Sequence, residues 1–184
     1  MENYHDKINE LLTSFSSIEN ISLNDIPEID LYMDQITTFM EDKLKNYKRY
    51  PNDKILTKTM INNYTKAKLI SPPNKKKYSK QHMILLILIY HFKSVLSIND
   101  ISTLFNYFKN NGNTNIEEIY NTFLQCEEDE KNIIFSELNL NDLSTKDKES
   151  LIPLIIKLLI KAEAEKMLAE KLIDEFFTPE TSKK

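Results

Sequence analysis

Apolar residues recur along most of the chain at spacings of three and four, the mark of amphipathic helices rather than strands. From Tyr4 to Phe15 the stripe is Tyr4, Ile8, Leu11, Leu12 and Phe15, and a Ser/Asn-rich stretch ends it. Ile29, Tyr32, Met33, Ile36, Phe39, Met40, Leu44 and Tyr47 predict a long helix from Ile29 to about Tyr47, with Pro27 at its entrance. Pro51 breaks that pattern. Thr57 then stands where it can cap a short helix to about Lys68. That helix turns Leu56, Met60, Ile61, Tyr64 and Ala67 inward and Lys58, Thr59, Asn62, Thr65 and Lys66 outward. Ser71, Pro72, Pro73 and Asn74 form a break before Lys75, Lys76, Lys77 and Tyr78. Ser79 opens a helix from Lys80 to about Val95 that is apolar on nearly every side and therefore central. Ser97 with Asp100 three residues on reads as a capping box for a helix to about Tyr107.

The loop from Asn110 to Asn115 holds Gly112, after which Ile116, Ile119, Tyr120, Phe123 and Leu124 resume the helical spacing. The acidic run Glu127 to Glu130 is a solvated face, followed by Ile133, Ile134 and Leu138. Asn139 to Ser144 is a polar link. The longest helix runs from Lys146 or Ser150 to about Phe177 with Pro153 in or near its first turn. Its stripe of Ile156, Ile160, Ala164, Met167, Leu168, Leu172 and Phe176 suits packing against another helix, in the same chain or in a second copy. The fold class expected is mainly α, with at most a short β-hairpin between Leu69 and Tyr78.

Composition narrows the chemistry. The single glycine among 184 residues implies that almost no backbone position takes a positive φ. It also excludes the glycine-rich phosphate loops, the dinucleotide fingerprint and the nucleophile elbow. One cysteine, Cys126, makes neither an internal disulfide nor a cysteine-based zinc site, which points to the cytoplasm. The longest apolar run, Met83 to Tyr90, is too short to cross a bilayer, and the first thirty residues do not read as a signal peptide. No membrane association is expected.

The net charge of -4 is the residue of a strong segregation. Residues 1–42 hold 1 basic and 10 acidic side chains, residues 43–93 hold 13 basic and 1 acidic, and residues 94–184 hold 10 basic and 17 acidic. A middle segment so basic inside an acidic chain fits a surface that meets a polyanion. Arg49 is the one arginine, so bidentate reading of guanine is nearly unavailable, whereas an exposed Asn can take the paired edge of adenine.

A short polar-faced helix, a Pro-Pro and Lys-rich turn, and a buried helix follow one another from Leu56 to Phe105 in the order of a winged helix-turn-helix module. The stretch from Thr57 through Tyr64, Leu69 and Ile70 to Pro72 and Pro73, with Tyr78-Ser79 and then Leu96 to Ile101, resembles the DNA-binding head of MerR-type regulators. More closely, residues from about Ile26 to Leu104 resemble an uncharacterised bacterial domain-of-unknown-function family with such a head. Thr57 stands where that pattern has its capping Ser, and Tyr64 where it has the second aromatic of a Tyr-Tyr pair. Asn62 stands in place of its Arg, Asn63 in place of its first aromatic, and Lys68 in place of the Gly before the wing. The resemblance implies duplex DNA as partner. Thr57, Lys58, Asn62, Asn63, Tyr64 and Lys66 would serve it from the helix, and Lys75, Lys76, Lys77 and Tyr78 from the wing. The organisation expected is an N-terminal helix and link (1–27), the winged head (28–109) and a helical C-terminal region (110–184) that pairs two copies.

Other groupings are weaker. His82 and His91, nine residues apart on one helix, face opposite ways and share no metal. His5 is isolated, Asp30 and Asp34 flank an apolar stripe, and Cys126 lies beside Glu127 and Glu128, which oppose thiolate formation. No catalytic set, cofactor or metal is expected, so the chain reads as a transcriptional regulator rather than an enzyme. The rival reading is a non-catalytic helical adaptor whose basic face meets an acidic protein.

Overall fold

The helical spacing becomes seven α-helices and one two-stranded sheet among the residues that the computed structural model describes, 4–110, 115–137 and 147–179. In chain order these are α1 (Tyr4–Ser16), β1 (Leu31–Tyr32), α2 (Met33–Leu44), α3 (Lys58–Lys66), β2 (Lys77–Tyr78), α4 (Lys80–Phe92), α5 (Ile98–Asn110), α6 (Ile116–Glu137) and α7 (Ile152–Phe176). Single 3-10 turns occupy Leu23–Asp25, Lys45–Tyr47 and Glu149–Leu151. The chain forms two compact units, Met1–Asn20 with Phe123–Leu168, and Ile21–Thr122 with Ala169–Lys184.

The second unit is built round α4, in which Met83, Ile84, Leu86, Ile87, Leu88 and Ile89 are all buried. Buried in the same unit are Ile36, Met40 and Leu44 of α2, Ile61 of α3, and Ile101 and Phe105 of α5. Burying each such side chain is worth roughly 1.5–3 kcal/mol, which is why a helix apolar on every side takes the centre. Ahead of α2, Ile21 and Ile26 are buried as well, and the buried Tyr120 of α6 donates its phenol hydrogen to the Ile21 carbonyl at 2.6 Å. In the first unit Lys131 of α6 donates to the Ile18 carbonyl and to Asn20 Oδ1, each at 2.9 Å.

Several expectations need correction. The helix expected from Ile29 starts at Met33, because Leu31 and Tyr32 are extended and pair antiparallel with Tyr78 and Lys77. Gln35 Oε1 accepts from the Tyr32 N–H at 2.8 Å and fixes that start. The hairpin expected between Leu69 and Tyr78 is a single bridge from Asn74 to Lys77, and the strand it delivers pairs with β1. The short helix ends at Lys66 rather than Lys68, and α4 ends at Phe92 rather than Val95. The inference that almost no residue takes a positive φ fails at three lysines, Lys68 (60°), Lys75 (48°) and Lys76 (66°). Gly112, the link from Asn139 to Ser144 and Leu138 lie outside the described residues.

The long last helix runs from Ile152 to Phe176 with Pro153 in its first turn, where the missing N–H is no loss. Its stripe is not packed within the described chain. Ile152, Ile155, Ile156, Leu159, Ile160, Met167 and Leu168 are all exposed, and Ile173 is its one buried residue.

Candidate nucleic-acid interface

Helix α3 begins where Thr57 Oγ1 accepts the Met60 N–H at 3.2 Å, satisfying one of the orphan donors of a first turn. Ile61 and Tyr64 face the core, so the helical period turns Lys58, Thr59, Asn62, Asn63 and Lys66 to the outside, and all five are exposed. Of these, Lys58 is paired with Asp34 of α2. Thr65 donates back to the Ile61 carbonyl at 3.1 Å, which leaves Thr59, Asn62, Asn63 and Lys66 as the polar side chains of this face with no partner among the described residues.

The helix stops because Lys68 turns left-handed. The Leu69 N–H then reaches the Tyr64 carbonyl at 2.9 Å, closing the end in the Schellman manner. Two side chains from other helices hold the chain that leads on to β2. Lys109 of α5 donates to the carbonyls of Lys68 (2.7 Å) and Leu69 (3.1 Å), placing a cation where the dipole of α3 is negative. His82 of α4 accepts the Ser79 N–H on Nδ1 at 3.1 Å, which puts its own hydrogen on Nε2, 3.1 Å from the Ser71 carbonyl. Burial lowers the pKa of the Lys109 amine, and burial lowers that of His82, opposed by the Ser71 carbonyl and by Asp30.

Beyond the link the backbone reverses in two residues. The Lys77 N–H donates to the Asn74 carbonyl at 2.8 Å, with Lys75 and Lys76 between them. Positive φ at both central positions is the pattern of the hairpin turn that Asn-Gly ordinarily fills. Lys75 and Lys76 are exposed, whereas the Lys77 amine lies 5.3 Å above the Tyr32 ring.

Two of the expected contact residues belong to the core. Tyr64 is 8% exposed and Tyr78 is 2% exposed, and burial raises the phenol pKa of each. Their rings hold α3 and β2 in place, with Tyr78 packed edge-on against His82 at 5.5 Å. Nor is the whole basic stretch displayed. Lys43 pairs with Asp25 (2.9 Å), Lys48 with Glu41, and Lys80 with Glu28 (2.5 Å) and Glu117 (3.4 Å). Lys66, Lys75 and Lys76 are the exposed cations of α3 and the turn that carry no carboxylate partner among the described residues.

Sequence reasoning passed over Lys109 and the clamp made by His82. The signal for His82 was present, since it stands three residues after the helix-opening Ser79, where a capping box puts its acceptor. Nothing local announces Lys109, whose partners lie 41 and 40 residues away. His82 and His91 have separate surroundings, His91 packing edge-on against Tyr47 at 4.9 Å. Cys126 is exposed, and no group of three metal-ligating side chains comes together among the described residues. No helix among them is long and apolar enough to cross a membrane.

A family model described as Domain of unknown function (DUF1836) matches residues 21–123. No curated protein and no solved structure matches the chain.

Proposed function

The chain belongs to the DUF1836 family, and from that premise we propose that it is a DNA-binding transcriptional regulator of the cytoplasm whose head is a MerR-like winged helix-turn-helix. The outward side of α3 enters the major groove, with Asn62 and Asn63 toward base edges and Lys58 and Lys66 toward the backbone. The turn at Lys75 and Lys76 is the wing and lies over phosphate. The observation that carries this reading is the turn itself. Two lysines occupy backbone positions that cost a residue with a Cβ on the order of 1 kcal/mol each relative to glycine, and strain of that kind collects at functional sites. A turn selected for stability alone would use Asn-Gly. Lysine there supplies two cations at the tip of a link clamped by Lys109 and His82.

The measurement is fluorescence polarisation with a random duplex over a salt series. Affinity falls log-linearly with salt, and neutralising Lys75, Lys76 and Lys77 flattens the slope by about one unit for each phosphate left without its lysine. A salt-indifferent affinity ends the proposal. Selection from a random pool then enriches a palindrome if α7 pairs two copies and so presents two heads to two half-sites. The second reading, an adaptor that binds an acidic protein, is favoured by the pairing of Lys58 with Asp34, which shows carboxylates already accepted beside α3. It is distinguished by an absence of duplex binding at low salt.

A further inference from the structure

A concave site lies in the unit that holds α3, between the turn that follows α2 and the end of α4. Its cavity measures about 460 Å³, within the roughly 300–1,000 Å³ usual for small-molecule sites. Lys48, Arg49, Lys54 and Lys93 line it, facing Asp53 and, through its pairing with Lys48, Glu41. Four cations against two carboxylates leave an excess of positive charge. The chain has 23 lysines and one arginine, and that arginine, whose planar fork matches a phosphate bidentately, is here.

The walls are aromatic and apolar. Tyr90 and His91 pack edge-on at 5.2 Å, Tyr47 stands edge-on to both, and Ile55 is buried beneath. Lys93 is the unusual member. Its side chain is half-buried, its amine lies 5.1 Å above the Tyr90 ring, and its hydrogen bond is a long one, 3.4 Å to the Ile55 carbonyl. No carboxylate pairs with it among the described residues, and burial lowers its pKa, as expected for an amine drawn from water without a counter-charge. An anion entering the cavity would supply that counter-charge.

We propose that this cavity binds a nucleoside monophosphate, with the phosphate held by Lys93 and Arg49 and the base laid against the Tyr47 and Tyr90 wall. Bare phosphate would leave most of the volume empty, and an uncharged ring would leave the cations unanswered. The site also has a route to the DNA-facing helix. Ile55, which accepts from Lys93, lies two residues before Thr57, the cap of α3, so a ligand that takes the Lys93 amine alters what holds the segment entering that helix. This regulatory arm rests on the DNA-binding reading; the ligand site does not.

The test is titration calorimetry of the full chain, without DNA, against AMP, GMP, CMP and UMP. At least one of them binds with micromolar to submillimolar affinity, and its nucleoside, inorganic phosphate and ribose 5-phosphate each bind at least tenfold more weakly. Lys93→Met and Arg49→Ala each weaken binding tenfold or more. Arg49 is exposed, so its removal leaves the fold intact and keeps the test decisive if Lys93→Met lowers stability. No binding by any of the four, equal binding of inorganic phosphate, or affinity unchanged within twofold in Arg49→Ala overturns the site. A ligand that binds as expected and leaves duplex affinity unchanged within twofold overturns the regulatory arm alone.

Discussion

The Nε2 of His82 lies 3.1 Å from the Ser71 carbonyl oxygen, joining the first turn of α4 to the link between α3 and β2. The same ring accepts the Ser79 N–H on Nδ1, so a second proton would set donor against donor and cost the helix its first-turn acceptor. Burial favours the neutral ring and holds its pKa below the ordinary value. A group with a folded pKa below its unfolded one is protonated more readily in the unfolded chain, so its contribution is present above about pH 6.5 and is lost as the pH falls through the folded pKa. Urea midpoints measured from pH 7.5 to 5.5 therefore decline, and His82→Gln, which keeps an acceptor and cannot titrate, makes the decline shallower. An identical pH profile in that variant would remove His82 from the clamp.

Lys68 is a left-handed residue with a side chain, at the position where the helix end needs no Cβ. Its conformation is fixed by the Leu69 N–H on the Tyr64 carbonyl and by Lys109 on its own carbonyl, so a glycine there would adopt the same backbone. Relief of the Cβ clash outweighs the greater freedom of an unfolded glycine, and Lys68→Gly should stabilise the chain by about 0.5–1 kcal/mol. Thermal unfolding reads this directly. A destabilised variant would mean that the exposed Lys68 side chain carries a contact worth more than the strain.

These lysines also show where the sequence could be read and where it could not. Period and caps located α3, α4 and α5, because Thr57, Ser79 and the reciprocal pair of Ser97 with Asp100 act over three residues. The scarcity of glycine concealed three left-handed positions, since a residue's cost at positive φ is invisible until tertiary contacts force it. The start of α2 was misplaced for a similar reason. Leu31 and Tyr32 fit a helical stripe, and their withdrawal into β1 depends on Tyr78 and Lys77, more than forty residues on. Of the proposed contact residues, the outward set on α3 followed from the period alone. Tyr64 fits the inward stripe and Tyr78 the strand pairing, and both are held in the core.

The turn at Lys75 and Lys76 separates stability from the proposed function. Lys75→Asn with Lys76→Gly installs the residues that this two-residue reversal prefers, with Asn74 and Lys77 still paired. The double variant should gain about 1–2 kcal/mol in stability while giving up two cations at the tip. Duplex affinity should drop, and the slope of log affinity against log salt should flatten by about two. More stability with unaltered DNA binding would show that the turn plays no part at the phosphate backbone.

Helix α7 sets a different balance. Ile152, Ile155, Ile156, Leu159 and Ile160 repeat at three and four and turn a continuous apolar face outward, Ile156 at 53% and Leu159 at 64% exposure. At roughly 25 cal/mol per Å², five such half-exposed side chains amount to several kcal/mol of unrealised burial, and soluble chains rarely leave so large a patch open. A second copy of α7 would cover it in kind, as apolar spacing of three and four allows between paired helices. Light scattering should find a mass of two chains. Ile156→Lys with Leu159→Lys, both already exposed, should return the mass to one chain and weaken association at least a hundredfold, while the unfolding free energy of the single chain stays within about 0.5 kcal/mol. A wild-type mass of one chain at tens of micromolar would end the dimer, and with it the two-headed arrangement on a palindrome.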